Sequence, residues 1–271
     1  MSDFQGLVPA VGGRLWAQAA GEGTGVILVH AGIADARMWD PQWEALAARH
    51  RVARYDTRGH GRTQGTDVEF SNRADLITVM DAAGVERATL VGCSRGGSIA
   101  IDTALEFPGR VEALVWVCGG LGGVEIGETP EETAAGERME ELWAAKDWGA
   151  LADLEVAVWV DGVGQPAGRA PAPVRELVRR MCLETYLQEK PEGRPIALDP
   201  PAAGRLGEIR VPMLVIIGEL DTLGTRMTAG LLADHVPGAR RIDLPGVAHL
   251  PSMERPEWFT ETLFGFLAEV G

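Results

Sequence analysis

Gly92-Cys93-Ser94-Arg95-Gly96-Gly97 is the stretch of this chain whose residue types promise the most chemistry. A strand-like run precedes it and helical periodicity follows it, the context in which Gly-x-Ser-x-Gly makes a sharp strand-to-helix turn. Such a turn forces Ser94 into a strained backbone and lifts its hydroxyl above a sheet. The small residues at 92 and 96 let the backbone pass close by. The N–H of Arg95, at a helix N-terminus, then faces any oxyanion that develops on an attacked carbonyl. In His30-Ala31-Gly32-Ile33, after another strand-like run, Gly32 offers a second backbone N–H of the same kind. The His30 side chain reads as hydrogen-bonded within its own loop.

A serine nucleophile needs a base and an acid to orient that base. Of the five histidines, His50 ends a helix, His60 lies in the tight Arg58-Gly59-His60-Gly61-Arg62 loop, and His235 closes a helix beside Pro237. His249 follows the run Arg240–Leu244 across a short Pro-Gly loop, and Asp221 follows Val211–Ile217 across Gly218-Glu219-Leu220. Between them there is room for one helix and one strand, so both belong at the same edge of a sheet. Asp221 would orient His249, which would take the Ser94 proton and return it to the leaving group.

The elements that must position these residues are legible from residue 25 to 118. Val26–Val29, Val52–Tyr55, Ala88–Val91 and Val111–Cys118 are apolar β-branched runs without alternation. Trp39–Arg49, Asn72–Ala83 and Ser94–Glu106 between them have helical spacing. Fully apolar strands alternating with helices predict a parallel sheet covered on both faces. From 119 to 205 the rhythm is lost. A glycine-rich exit, Gly119–Gly127, leads into helical text through Leu154, and Val174–Gln188 is flanked by Pro171, Pro173, Pro191 and Pro195. No strand pattern is expected there, and a helical insertion is. The strand–helix rhythm resumes at Val211–Ile217, with Thr225–His235, Arg240–Leu244 and Pro256–Val270.

Together with Tyr55-Asp56-Thr57-Arg58-Gly59-His60-Gly61-Arg62 and His249-Leu-Pro-Ser-Met-Glu254-Arg-Pro256, these motifs make the chain resemble α/β-hydrolase-fold enzymes over essentially its whole length. The order Ser94, Asp221, His249 is the one that fold uses. The resemblance implies a mostly parallel eight-stranded sheet flanked by helices, with a helical cap inserted after the sixth strand. The core would be 1–118 and 206–271, and the cap 119–205. It makes Tyr55–Arg62 a structural turn, with Asp56 and His60 as scaffolding, and Glu254 and Pro256 the start of the closing helix. Two departures stand out. The oxyanion loop has Ala31 where the family more often has Gly, and position 95 is Arg where Met, Leu or Gln is usual. The Arg95 side chain could pair with a substrate carboxylate, but a structural salt bridge to one of the 39 acidic residues is the favoured reading.

The family's haloalkane dehalogenases and epoxide hydrolases carry Asp at the nucleophile position, so Ser94 directs the reading to carboxylic esters or lactones through an acyl-enzyme. Met38-Trp39-Asp40-Pro41-Gln42 with Arg54–Gly61 also resembles 3-oxoadipate enol-lactonases, although those often have Asn-Ser at His30-Ala31. C–C bond hydrolases share the same triad. Other proteins of this fold act as small-molecule receptors, which turnover with burst kinetics would distinguish from binding without product. No cofactor or metal is required. Gly21-Glu-Gly-Thr-Gly25 precedes a strand, whereas a phosphate-binding loop follows one. Trp143, Trp159 and Met139, with Trp148 and Met181, are candidates to line an acyl or alcohol pocket, helix packing being the plainer role of each.

Composition narrows the partners to a small molecule. The 271 residues carry 25 basic and 39 acidic side chains, a net charge of −14, which disfavours nucleic acid and anionic membranes. Cys93, Cys118 and Cys182 lie far apart without metal-ligand spacing, as expected of buried free thiols in a reducing compartment, Cys93 simply packing. No apolar run approaches the roughly 20 residues that span a bilayer, and the N-terminus lacks a signal-peptide pattern, so a cytoplasmic location is expected. The sequence sets no oligomeric state.

Overall fold

The apolar runs assemble as the spine of one sheet in the computed structural model, which describes residues 3–125, 127–188 and 193–271. In chain order the main strands are β1 (Phe4–Ala10), β2 (Gly13–Ala20), β3 (Gly25–Val29), β4 (Arg51–Tyr55), β5 (Ala88–Cys93), β6 (Val111–Val117), β7 (Met213–Gly218) and β8 (Arg240–Leu244). Their spatial order is β1-β2-β4-β3-β5-β6-β7-β8. All pairings from β4 to β8 are parallel, while the β1–β2 hairpin joins antiparallel through β2. A two-residue strand, Gln64–Gly65, pairs with β2 and brings the sheet to nine strands, one more than expected.

Parallel strands need crossovers, and helices α1 (Asp40–Ala47), α2 (Asn72–Ala82) and α3 (Arg95–Glu106) supply them. Every residue of β3, β4, β5 and β7 is buried, which explains the mostly apolar text of β3, β5 and β7, while β4 also buries Arg51 and Arg54. Helix starts follow side-chain capping: Ser71 Oγ accepts the Ala74 N–H at the head of α2. Between β6 and β7 lie α4 (Pro130–Ala144), α5 (Trp148–Glu155), a π-helical stretch (Val156–Gly162) and α6 (Ala172–Leu187). Thr129 and Glu132 form a reciprocal capping box at the start of α4. The sheet ends with α7 (Leu223–His235), then α8 (Pro251–Glu254) and α9 (Pro256–Val270) after β8.

Two details differ from expectation. The strands β1 and β2 lie in text that showed no strand rhythm, because β1 is a partly exposed edge strand broken by Gly6 and Pro9, and β2, paired on both sides, mixes Gly13, Arg14 and Gln18 with its apolar residues. The insertion also holds one short strand, Arg194–Pro195, paired with Glu69–Phe70. Pro191 lies outside the described residues, so its flanking role is not placed.

Because β3, β5, β7 and β8 run parallel, the loops that follow them open at one edge. β3 is flanked by β4 on one side and β5 on the other, so the chain diverges there and leaves a crevice at the carboxyl ends. The turn after β4 braces that crevice. The buried Asp56 carboxylate accepts N–H bonds from Ala36 (2.9 Å) and Arg62 (2.7 Å) and from Arg62 Nε (3.0 Å). Asp56→Ala would strand these donors, and urea denaturation should show a loss of about 2–3 kcal/mol. An unchanged midpoint would contradict the bracing role.

Candidate active site

Ser94 sits between β5 and α3 with φ 53° and ψ −119°, a backbone that only strong local constraint holds for a non-glycine residue. Backbone bonds supply that constraint, one of them from the Ser98 N–H to the Ser94 carbonyl (3.3 Å). The Ser94 N–H donates to the Val117 carbonyl (2.9 Å), and the Ser94 carbonyl accepts from Gly97 (2.9 Å) and Gly120 (3.2 Å). The two flanking glycines are steric requirements. A β-carbon on Gly92 would stand 2.1 Å from the Gly96 carbonyl oxygen, and one on Gly96 2.2 Å from the Val29 oxygen.

On neighbouring strand ends, the His249 ring Nδ1 lies 2.8 and 2.9 Å from the two Asp221 carboxylate oxygens. Both residues are buried. The Nδ1 proton is therefore committed to Asp221, which leaves Nε2 as the proton-accepting nitrogen. Cys93 Sγ approaches the His249 carbonyl at 3.7 Å, so the Ser94 turn and the His249 loop adjoin. No hydrogen bond joins Ser94 to His249 among the described residues. Contacts of this kind are often long before substrate binds.

Several supports of His249 were not legible in the sequence. Trp159, in the π-helical stretch, tilts against the imidazole at 4.7 Å between ring centroids, and its carbonyl accepts the His249 N–H (3.2 Å). Glu254 ends α8 and accepts the Ala248 N–H (3.0 Å) while pairing with Arg169 at 2.7 Å. Arg169 also donates to the Gly246 carbonyl, tying the insertion to the His249 loop. Cys118 Sγ lies with Asp221 and His249 in a cluster whose ligand-type atoms are all within 4.8 Å. Burial beside the Asp221 charge raises that thiol well above its usual range, so it stays protonated. Its sulfur accepts the Gly218 N–H at 3.4 Å. All three cysteines are buried and free.

Gly32 and Arg95 follow adjacent strands across the crevice. The Gly32 loop is held by two buried histidines. His30 Nε2 accepts the Thr57 N–H (2.8 Å) and its Nδ1–H donates to the Ala31 carbonyl (2.7 Å), so its ties extend to the Tyr55–Arg62 turn. His60 Nε2–H donates to the Gly32 carbonyl (2.8 Å), and its Nδ1 accepts from Arg95 Nη1 (3.2 Å). Arg95 Nη2 donates to the Arg58 carbonyl (3.3 Å). Two of the contacts of the Arg95 side chain thus go to a histidine ring and a backbone carbonyl.

The pocket candidates divide. Trp143 lines a cavity of about 460 Å³ that also touches Gly32, His60, Arg95, Lys146 and Tyr186. Met139 and Trp159 line a separate cavity of about 230 Å³ with Val158, Thr222 and Thr225. Trp148 joins the first, packed with Trp143 and Tyr186 at 5.2–5.6 Å between centroids. Met181 is buried in the core and lines neither. No helix among the described residues is long and apolar enough to cross a membrane.

The sequence profile of the alpha/beta hydrolase family matches residues 26–262, and the chain belongs to that family. It is a hydrolase of the family's esterase and lactonase type. Over 94% of its length it is 31% identical to a protein named for carbamate hydrolysis, RutD of Azorhizobium caulinodans, 96% of which is matched. It is 28% identical, over 93% of its length and 98% of the relative, to the pimeloyl-[acyl-carrier protein] methyl ester esterase of Pectobacterium atrosepticum. The solved enol-lactonase from Burkholderia xenovorans LB400 superposes with a TM-score of 0.77 at 25% identity, covering 97% of this chain and all of that one.

Burial keeps both crevice histidines neutral: it lowers His30 to about 4, and burial with the neighbouring His30 and Arg95 lowers His60 to about 3. Unfolded histidine titrates near 6.5, so the unfolded chain gains these protons first as pH falls. Their contribution to stability is complete above about pH 6.5 and is lost as pH drops towards those folded values. Urea midpoints at pH 7, 6 and 5 should fall, with a slope approaching about 1.4 kcal/mol per pH unit for each histidine. His60→Gln should lose about half of that slope, and an equal slope in the variant would contradict the assignment.

Proposed function

We propose that the chain is a serine hydrolase that cleaves a small carboxylic ester or lactone through an acyl-enzyme. Ser94 attacks the carbonyl carbon as His249 Nε2 takes its proton, and Asp221 fixes the imidazole tautomer and stabilises the imidazolium. The Gly32 and Arg95 N–H groups receive the tetrahedral oxyanion. His249 then delivers the proton to the leaving group and activates the water that frees the acid. The observation that carries this reading is the buried Nδ1–carboxylate pair, 2.8 Å long, beside the strained Ser94 turn. The relatives named for methyl ester and enol-lactone substrates support the substrate class. Residues 119–205 act as the cap over a core of 1–118 and 206–271, and Trp143, Trp159 and Met139 contact the substrate from the cap side.

Hydrolysis of p-nitrophenyl esters from acetate to decanoate, and of simple lactones, tests the proposal. Wild type should turn over at least one of them, and Ser94→Ala should lower kcat by about 10⁴-fold or more. Equal rates in wild type and variant, or no reaction of either with a fluorophosphonate, would overturn it.

A further inference from the structure

The insertion ends its π-helical stretch, Val156–Gly162, against the two loops that carry Asp221 and His249. Wide helical turns of this kind are rare and gather at functional sites. Gly162 closes the stretch at φ 96°, where a β-carbon would stand 3.1 Å from the Leu220 carbonyl oxygen and 3.5 Å from the Ala248 β-carbon. The last carbonyls of a helix lack an N–H partner within it, and here they are answered from outside. The Trp159 carbonyl accepts the His249 N–H at 3.2 Å. Those of Val160 and Asp161 accept Arg169 Nη2 (2.6 Å) and Nε (2.5 Å). The same guanidinium reaches the His249 loop, donating Nη1 to the Gly246 carbonyl (2.7 Å) and pairing through Nη2 with Glu254 (2.7 Å).

Asp161 aims that side chain. Its buried carboxylate accepts the N–H groups of Gly168 and Ala170 (both 3.1 Å) and Arg175 Nε (3.0 Å), which folds the 163–170 segment back. Glu254 in turn accepts the Ala248 N–H (3.0 Å). The N–H groups of Ala248 and His249 thus end on Glu254 and Trp159, two acceptors whose segments Arg169 ties together. We propose that Arg169 is a positioning residue for His249: its planar fork locks the insertion to the 246–249 loop and so fixes where Nε2 stands relative to Ser94. The inference rests on the Ser94–His249 reading and adds a residue that touches neither the substrate nor the reacting atoms. The plainer role, a counter-charge for buried Glu254 alone, needs no fork, and an ammonium would serve it as well.

The test compares wild type with Arg169→Met, Arg169→Lys and Arg169→Met/Glu254→Gln, using a p-nitrophenyl ester, fluorophosphonate labelling and urea denaturation. Arg169→Met should lower kcat by about 10–100-fold with KM changed less than about 3-fold, as a misplaced base does without loss of binding. Labelling of Ser94 should slow by a similar factor. Arg169→Lys keeps the charge opposite Glu254 but loses the fork, so its urea midpoint should stay near wild type while kcat falls about 10-fold. The double variant removes the unpaired buried carboxylate, so it should regain the midpoint lost in Arg169→Met while kcat stays low.

A wild-type kcat in Arg169→Lys, or a kcat that recovers together with the midpoint in the double variant, overturns the proposal and leaves the serine hydrolase reading intact. If Arg169→Met does not fold, those two variants decide. If wild type neither turns over nor labels, the hydrolase reading falls, and NMR of protein carrying nitrogen-15 histidine takes the place of kinetics. The His249 Nδ1 proton, identified by its loss in His249→Gln, should exchange with water about 10-fold faster in Arg169→Lys, because the loop opens more readily. Equal exchange in wild type and Arg169→Lys removes the positioning role.

Discussion

A serine held at φ 53° is costly, and the surrounding structure is built to hold it. The Val117 carbonyl fixes its N–H from β6, the first turn of α3 and Gly120 take its carbonyl, and the close approach of Gly92 to Gly96 permits the bend. These partners come from β5 itself, from the neighbouring β6 and the loop that leaves it, and from the helix that follows β5. The turn therefore exists only because β3, β5 and β6 are packed side by side. The crevice, the Gly32 and Arg95 backbones proposed to receive an oxyanion, and the His249 loop all inherit their positions from it.

Around that turn the protein uses buried polar groups as struts. His30 ties the Gly32 loop to Thr57, His60 ties the Gly32 carbonyl to Arg95, and Asp56 gathers donors from Ala36 and Arg62. On the far side, Glu254 and Arg169 fasten the His249 loop to the insertion, and Trp159 covers the imidazole. Desolvated groups of this sort are tolerable only when each is satisfied, which is why the network is dense where the loops converge.

The Ser94 turn, the strands β3 to β8 and the Asp221–His249 pairing were legible because each leaves a local mark: glycines where a β-carbon would collide, unbroken apolar runs, and a loop after each strand. The hairpin β1–β2 was not, since the edge strand β1 need not be apolar and tolerates Pro9, and β2 carries Arg14 and Gln18 among its apolar residues. The pocket was legible only in residue type. Met139 and Trp143 are one turn apart on α4, yet they line different cavities. Cys118 and Asp221 meet across a hundred residues of chain, a proximity no spacing rule announces. Arg95 stood out by its departure from the family, but its bonds to the His60 ring and the Arg58 carbonyl depend on how the Arg58–His60 turn folds back.

The central claim is that Ser94 becomes acylated and that the Asp221–His249 pair drives the step. Quenching the enzyme during turnover of a p-nitrophenyl ester, followed by peptide mass spectrometry, tests it directly. The acyl mass should appear on the peptide containing Ser94, at a level that collapses in His249→Ala and disappears in Ser94→Ala. Turnover with no acyl mass on that peptide, or with the adduct on another residue, would contradict the account.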